Sequence, residues 1–162
     1  MADQTVQVRI GIAEGAVISG AGTLTTTGLG SCVGLVLYDT TLEIAGMVHI
    51  MLPTSPNSTP LHPQKYADTG MTWLVQEMLQ HGASLTRLRA KYAGGAQMFR
   101  NLQTESLRIG DRNVESVRQL LEELRVPVVS HDVGGSFGRT VRFDLPSRML
   151  HIRTARGEER QI

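Results

Sequence analysis

The chain has 162 residues, 41% of them hydrophobic and 19% charged, and a formal net charge of +1. This size suits a single domain over residues 1–162, packed from about 8 to 154, and the balance excludes a disordered chain and offers no basic footprint for nucleic acid or an anionic membrane. The single cysteine, Cys32, excludes an intrachain disulfide. No leader is read in residues 1–9, and no apolar run nears the ~20 residues of a spanning helix, so a cytoplasmic protein without membrane insertion is expected.

In chain order, residues 6–12 alternate weakly and read as a first strand. Residues 16–27, rich in Gly and Thr, read as strand and loop. The strongest strands are 32–38 and 44–52, short and rich in Val, Ile and Leu. Asp39-Thr40-Thr41-Leu42 between them has turn chemistry and predicts a hairpin. Residues 53–63 hold four prolines and form a loop. A helix follows over 64–80, with Ala67, Met71, Leu74, Val75, Met78 and Leu79 at helical spacing, Pro63 at its start and Gly82 past its end. A shorter helix is read at 84–88 and a strand at 89–93, running into Gly94-Gly95-Ala96. The second long helix covers 113–124, with Asn113 as N-cap and Val114, Val117, Leu120, Leu121 and Leu124 as its apolar stripe. A strand at 126–131, a Gly-rich loop at 132–139 and a hairpin of 140–145 with 149–154 around Pro146-Ser147 complete the order. The charged tail from Ala155 reads as frayed. Strands outnumber helices and do not alternate with them, which argues for an α+β fold.

The hairpin suggests chemistry. A two-residue loop, Thr40-Thr41, sets Cys32 directly opposite His49, with Cβ atoms ~5 Å apart. A thiol beside an imidazole is the minimal unit of nucleophilic acyl transfer. A three-residue loop would put the two side chains on opposite faces, and Thr-Thr is a poor two-residue turn, so the register is open. A cysteine in an apolar strand also serves as a small buried hydrophobe. Gly28-Leu29-Gly30-Ser31 before Cys32 brings bare backbone to the reacting centre, where the N–H groups of Gly28, Gly30, Ser31 and Cys32 could form an oxyanion hole. The other histidines, His62, His81, His131 and His151, lack metal-ligand spacing, so no metal and no cofactor are expected. Gly28-x-Gly30 with a strand after it does not fit a dinucleotide fingerprint. Arg139 reads as half of a structural ion pair, and the glycines before it as suppliers of positive φ.

These residues also carry a resemblance. Thr26-Thr27-Gly28-Leu29-Gly30-Ser31-Cys32 resembles the TLGLGSC signature of the CheD family of chemoreceptor glutamine deamidases. Gly46-Met47-Val48-His49-Ile50-Met51-Leu52-Pro53, Lys65-Tyr66-Ala67-Asp68-Thr69, Ala90-Lys91 with Gly94-Gly95-Ala96-Gln97-Met98-Phe99, Ile109-Gly110-Asp111-Arg112-Asn113 and Asp132-Val133-Gly134-Gly135-Ser136-Phe137-Gly138-Arg139 follow in the family's order. The resemblance implies an active-site cysteine, histidine and threonine at Cys32, His49 and Thr26. The family's apolar residue is replaced here by Thr27, which leaves Thr27, and less so Thr25, as alternatives. It implies two packed mixed sheets flanked by helices, similar to the deamidating bacterial cytotoxins. It further implies hydrolysis of glutamine side chains on the cytoplasmic domains of chemoreceptors, with methyl-ester hydrolysis as a side activity of the same acyl-enzyme. A CheC-type phosphatase is the implied second partner, and a purely adaptor role toward it is the alternative function.

Overall fold

A computed structural model describes residues 5–97 and 108–162, which form ten strands and two α-helices. Met98 and Phe99, which end one of the quoted motifs, lie outside the described residues. One sheet runs in the order β1 (Val6–Arg9), β3 (Gly22–Leu29), β8 (Arg139–Leu145), β9 (Met149–Thr154) and β10 (Glu159–Gln161). The other runs β2 (Gly15–Ser19), β5 (Ile44–Ile50), β4 (Val33–Asp39), β6 (Leu88–Gly94) and β7 (Val128–Val133). Both are mixed: β1 is parallel to β3 and β6 to β7, and the other neighbours are antiparallel. The fold is therefore α+β, as the strand pattern implies, with the two mixed sheets that the resemblance implies.

The two sheets pack face to face. Val36, Tyr38, Met47 and Ala93 of the second sheet meet Leu24, Val141, Phe143, Leu150 and Ile152 of the first. The helices α1 (Ala67–Gln80) and α2 (Ile109–Glu123) cover the other face of the second sheet. There Met71, Leu74, Met78, Val117 and Leu121 pack on Leu35, Leu37, Val48, Ile50 and Tyr92. Every residue of β4 and β5 is consequently buried, which is why both read as continuous apolar runs. β8 alternates between buried and outward positions because the outer face of its sheet carries no helix and is polar, with Thr25, Arg142 and His151 paired across strands.

Four local expectations are corrected. The loop between β4 and β5 is Thr40–Glu43, not Thr40-Thr41: Tyr38 pairs with Ala45 and Gly34 with His49. The Asp39 carboxylate accepts from the N–H groups of Thr41 (2.8 Å) and Leu42 (2.9 Å) and so closes the wider loop. Asn113 lies inside α2, which starts four residues earlier than expected, at Ile109. The tail is not frayed, because β10 pairs with β9, and Ile162 and Leu150 exchange backbone hydrogen bonds of 2.9 Å. Its exposed edge position let charged residues occupy it. The segment expected as a short helix is a 3-10 turn at Leu85–Arg87, and another at Pro63–Lys65 precedes α1.

Asp39 holds the hairpin end together. Its side chain is fully enclosed and pairs with Arg87 at 3.0 Å. Burial alone would raise its pKa, but the Arg87 guanidinium and the N–H groups of Leu42, Thr41 and Ser84 together hold the carboxyl well below the usual carboxylate range. The depressed folded-state pKa makes this stabilisation complete above the unfolded value of ~3.9, with progressive loss as the pH falls below it. Asp39→Ala leaves several enclosed N–H groups unpaired, so a loss of about 3 kcal/mol is expected in urea unfolding. The variant should also have a flatter acid limb of stability than the parent.

Candidate active site

The site is built where the first sheet loses its regularity. β3 pairs with β8 as far as Thr26 opposite Val141, then breaks register before Leu29 opposite Arg139. Gly28 sits in this bulge with φ +70°, a conformation that favours glycine. Upstream of the bulge, alternate residues point inward, so Leu24 and Thr26 are buried at 0% and 1% exposure. Thr25 falls on the outer face and Thr27 is exposed. Of the three candidate threonines, only Thr26 enters the space between the sheets.

His49 reaches that space from the second sheet, on the same face as Ala45 and Met47. Its cross-strand neighbour is Gly34. A Cβ there would lie 3.1 Å from Leu29 Cδ1 and 3.6 Å from Thr26 Cγ2, so the bare position lets the first sheet come close. Thr26 Oγ1 then lies 2.7 Å from His49 Nδ1. The same hydroxyl donates to the Ile10 carbonyl at 2.7 Å. A hydroxyl has one proton. Since Ile10 takes it, Oγ1 must accept from Nδ1–H, and this fixes the tautomer of the neutral ring. Nε2 is left with its lone pair, buried and without a hydrogen-bond partner among the described residues. The His49 backbone is anchored by Ala13 and Glu14, with His49 N–H to the Glu14 carbonyl at 3.0 Å and Ala13 N–H to the His49 carbonyl at 3.2 Å.

Cys32 precedes β4. The corrected register moves the pairing by two residues, so Cys32 is not directly opposite His49 but diagonal to it. A shift of two preserves the face. Cys32 therefore shares the inward face with Gly34, and diagonal neighbours lie within reach of long side chains at roughly 7–8 Å. The cysteine is half-buried against the core between the sheets.

The loop bearing Cys32 is held by three consecutive carbonyls. Gly30 O accepts from Ala96 N–H (2.8 Å), Cys32 O from Gly95 N–H (2.8 Å), and Ser31 O from Asn113 Nδ2 (3.0 Å). Glycines make this approach possible. A Cβ on Gly94 would collide with the Cys32 carbonyl, one on Gly95 with Val114, and one on Gly110 with the Ala96 carbonyl. In a trans peptide N–H points away from C=O. Fixing the carbonyls of Gly30 and Ser31 thus turns the N–H groups of Ser31 and Cys32 the other way, and neither takes part in any hydrogen bond among the described residues. Of the expected oxyanion donors, Gly30 N–H is occupied by the Gly28 carbonyl at 3.0 Å. Gly28 shapes the exposed bulge.

Arg139 forms the expected ion pair, with Asp132 at 3.3 Å, and also donates to the Gly94 carbonyl. Gly134 and Gly135 both have positive φ. A cavity of about 600 Å³ opens between Gly28, Arg139 and Arg156. Another cavity, about 920 Å³, lies on the outer face of the first sheet beside Arg142 and Asp144. Neither Cys32 nor His49 lines it, so chemistry rather than size marks the candidate site. Among the described residues no cluster of three or more His, Cys, Asp or Glu could hold a metal ion. Sequence reasoning missed the structural use of Asn113, Gly94, Gly95 and Gly110. The available signal was a polar residue on an otherwise apolar stripe, since Asn113, Val117 and Leu121 recur every four residues and are all buried.

Burial sets the charge state. It raises the Cys32 thiol pKa and lowers the His49 imidazole pKa. In both groups burial thus favours the neutral form over a thiolate or an imidazolium.

A half-buried thiol and a buried imidazole of fixed tautomer share one sheet face, with N–H groups beside the cysteine that are unpaired among the described residues; these are the parts that thiol-dependent acyl transfer requires. Residues 51–154 match the profile of the family described as CheD chemotactic sensory transduction. A probable chemoreceptor glutamine deamidase CheD of Oceanobacillus iheyensis is 49% identical over 93% of this chain and 92% of its own length. The chemoreceptor glutamine deamidases CheD of Halalkalibacterium halodurans and Bacillus subtilis are 45% and 43% identical, over 96% and 98% of this chain and 98% of each relative. The chain belongs to the CheD family.

A neutral thiol has a clear signature. Alkylation of Cys32 by iodoacetamide should keep accelerating through the ordinary thiol range near ~8.5. Stopped assays between pH 5 and pH 10 check this on about half-unit steps. A rate plateau reached already at neutral pH would instead indicate a preformed thiolate–imidazolium pair.

Proposed function

We propose that this protein hydrolyses glutamine side-chain amides on the cytoplasmic domains of chemoreceptors to glutamate and ammonia, acting in the cytoplasm with Cys32 as nucleophile and His49 as base. The observation that carries the reading is the double engagement of the Thr26 hydroxyl, which leaves His49 Nε2 as the free basic nitrogen on the face that bears Cys32. The names of the relatives support the substrate.

In the first half-reaction the Cys32 sulfur attacks the carboxamide carbon as its proton passes to Nε2 of His49. The oxyanion forms against the N–H groups of Ser31 and Cys32. The imidazolium returns the proton to the amide nitrogen, the C–N bond breaks, and ammonia leaves a thioester. Water then attacks the thioester carbon, losing its proton to Nε2. The C–S bond breaks as Nε2–H gives its proton to the sulfur, which restores the thiol, and the product acid releases its proton to solvent as the carboxylate. Thr26 keeps Nδ1–H engaged throughout and favours the transient imidazolium by accepting from it. A methyl ester has the same acyl carbon and a better leaving group, so its hydrolysis follows as a side reaction of this site.

The direct test is mass spectrometry of a purified chemoreceptor cytoplasmic fragment. Incubation with the protein should add about one mass unit per reactive glutamine, and Cys32→Ala should abolish the gain. A gain that persists with Cys32→Ala would exclude this thiol. No gain with either protein, on a fragment with known glutamine sites, would favour the adaptor role toward a CheC-type phosphatase.

Two variants test the tautomer in the same assay. Thr26→Val keeps the shape but offers no acceptor to Nδ1–H, and kcat should fall by about 10²-fold. Thr26→Ser should retain most of the activity. Equal losses in both would mean that packing, not the hydroxyl, is what Thr26 supplies.

A further inference from the structure

The first turns of α2 end at a residue that the proposed chemistry does not use. Asn113 is fully buried, and its amide nitrogen donates to two carbonyls, Ser31 O at 3.0 Å and Met51 O at 2.9 Å. Ser31 immediately precedes the nucleophile, and Met51 lies two residues past His49 and just beyond β5. One side chain thus ties together the two chain segments that deliver Cys32 and His49. Both amide protons are spent, and Oδ1 stays buried without a partner among the described residues. A buried unsatisfied acceptor costs roughly 1–3 kcal/mol. An apolar side chain on the stripe with Val117 and Leu121 would avoid that cost but leave the Ser31 and Met51 carbonyls without this donor, so what the position supplies is the donor that orients these two peptides.

We propose that Asn113 is a positioning residue for the acyl-transfer step, holding the Ser31–Cys32 peptide so that the Cys32 N–H faces the oxyanion. The inference rests on the catalytic reading given above. The geometry follows from the planar trans peptide. Ser31 C=O aims at Asn113 on α2, so Cys32 N–H aims the opposite way. Without the Asn113 donor the Ser31 carbonyl has no other partner among the described residues. The peptide is then free to rotate between the flanking anchors at Gly30 O and Cys32 O. Alkylation of the thiol needs no oxyanion hole, whereas amide hydrolysis does. The two reactions should therefore part company when Asn113 is replaced.

The test uses the full chain with Asn113→Leu, which keeps the volume but not the donor, and with Asn113→Ser, which is smaller and cannot overpack. Ser116→Ala is the control: its hydroxyl donates to Pro53 O from the same helix at 3.0 Å but does not touch the Cys32 loop. Thermal unfolding and dispersed amide spectra establish that each variant is folded. With the receptor fragment, the Asn113 variants should lose about 10- to 100-fold in kcat, with KM and the Cys32 alkylation rate within about threefold of the parent. The Cys32 backbone amide, one sharp resonance in the parent, should broaden or split. Ser116→Ala should lower the melting temperature without altering kcat. An unshifted, sharp Cys32 amide in folded Asn113 variants overturns the inference, whatever the activity. So does a parallel fall of alkylation and hydrolysis, which would place the effect on the thiol itself. If the parent is inert toward the receptor glutamines, the catalytic reading fails by itself, and the Cys32 resonance still decides the role of Asn113.

Discussion

The site depends on one hydroxyl shared between two sheets. Thr26, on β3 of the first sheet, gives its proton to the Ile10 carbonyl and its lone pair to His49 on β5 of the second. Everything required for that contact is expensive in ordinary terms. A polar pair is buried in an apolar interface, one imidazole nitrogen has no partner among the described residues, and the strand facing His49 must do without a side chain at Gly34. Such local departures from optimal packing are where function is expected to reside. The benefit is chemical. A histidine with a single tautomer can act as base at one nitrogen without a preliminary ring flip or proton shift.

The Cys32 segment is positioned by a different physical device, close backbone contact. Cys32 is not gripped through its side chain. Its loop is gripped through three successive carbonyls, by the end of β6 and by α2. Gly94, Gly95 and Gly110 are the positions at which a side chain would push these segments apart. Gly95 and Gly110 let the start of α2 sit on the end of β6, and Gly94 lets β6 sit against Cys32. The helices on the second sheet thus buttress the reacting loop as well as closing the apolar core. Burial disfavours the charged form of both the Cys32 thiol and the His49 imidazole.

Much of this was legible in the sequence. β4 and β5 announced themselves as continuous apolar runs because both faces of the second sheet are covered. The stripe of α1 was readable for the same reason that its Met71, Leu74 and Met78 are buried. The cysteine, the histidine and the bulge glycines stood out by residue type. What was not legible was register. Thr40-Thr41 looked like the turn, and only the Asp39 carboxylate, by capping Thr41 and Leu42, makes Thr40–Glu43 the true loop. Asn113 looked like a helix cap because capping is what asparagine most often does at such a position. Its actual partners, Ser31 and Met51, are 82 and 62 residues away in the chain, and no local pattern encodes them. β10 was hidden by its charge, since an edge strand exposed along its length needs no apolar alternation.

The claim on which the rest turns is the protonation of His49. Its most direct test is a nitrogen-15 NMR spectrum of the ring, recorded on the resting protein near pH 7.5 with long-range couplings to the ring carbons' protons. The structure requires Nδ1 to carry the proton and to resonate as a pyrrole-type nitrogen, with Nε2 pyridine-type. A pyrrole-type Nε2, or two averaged nitrogens, would contradict it: Thr26 would then not fix the ring, and His49 would present no standing lone pair toward Cys32.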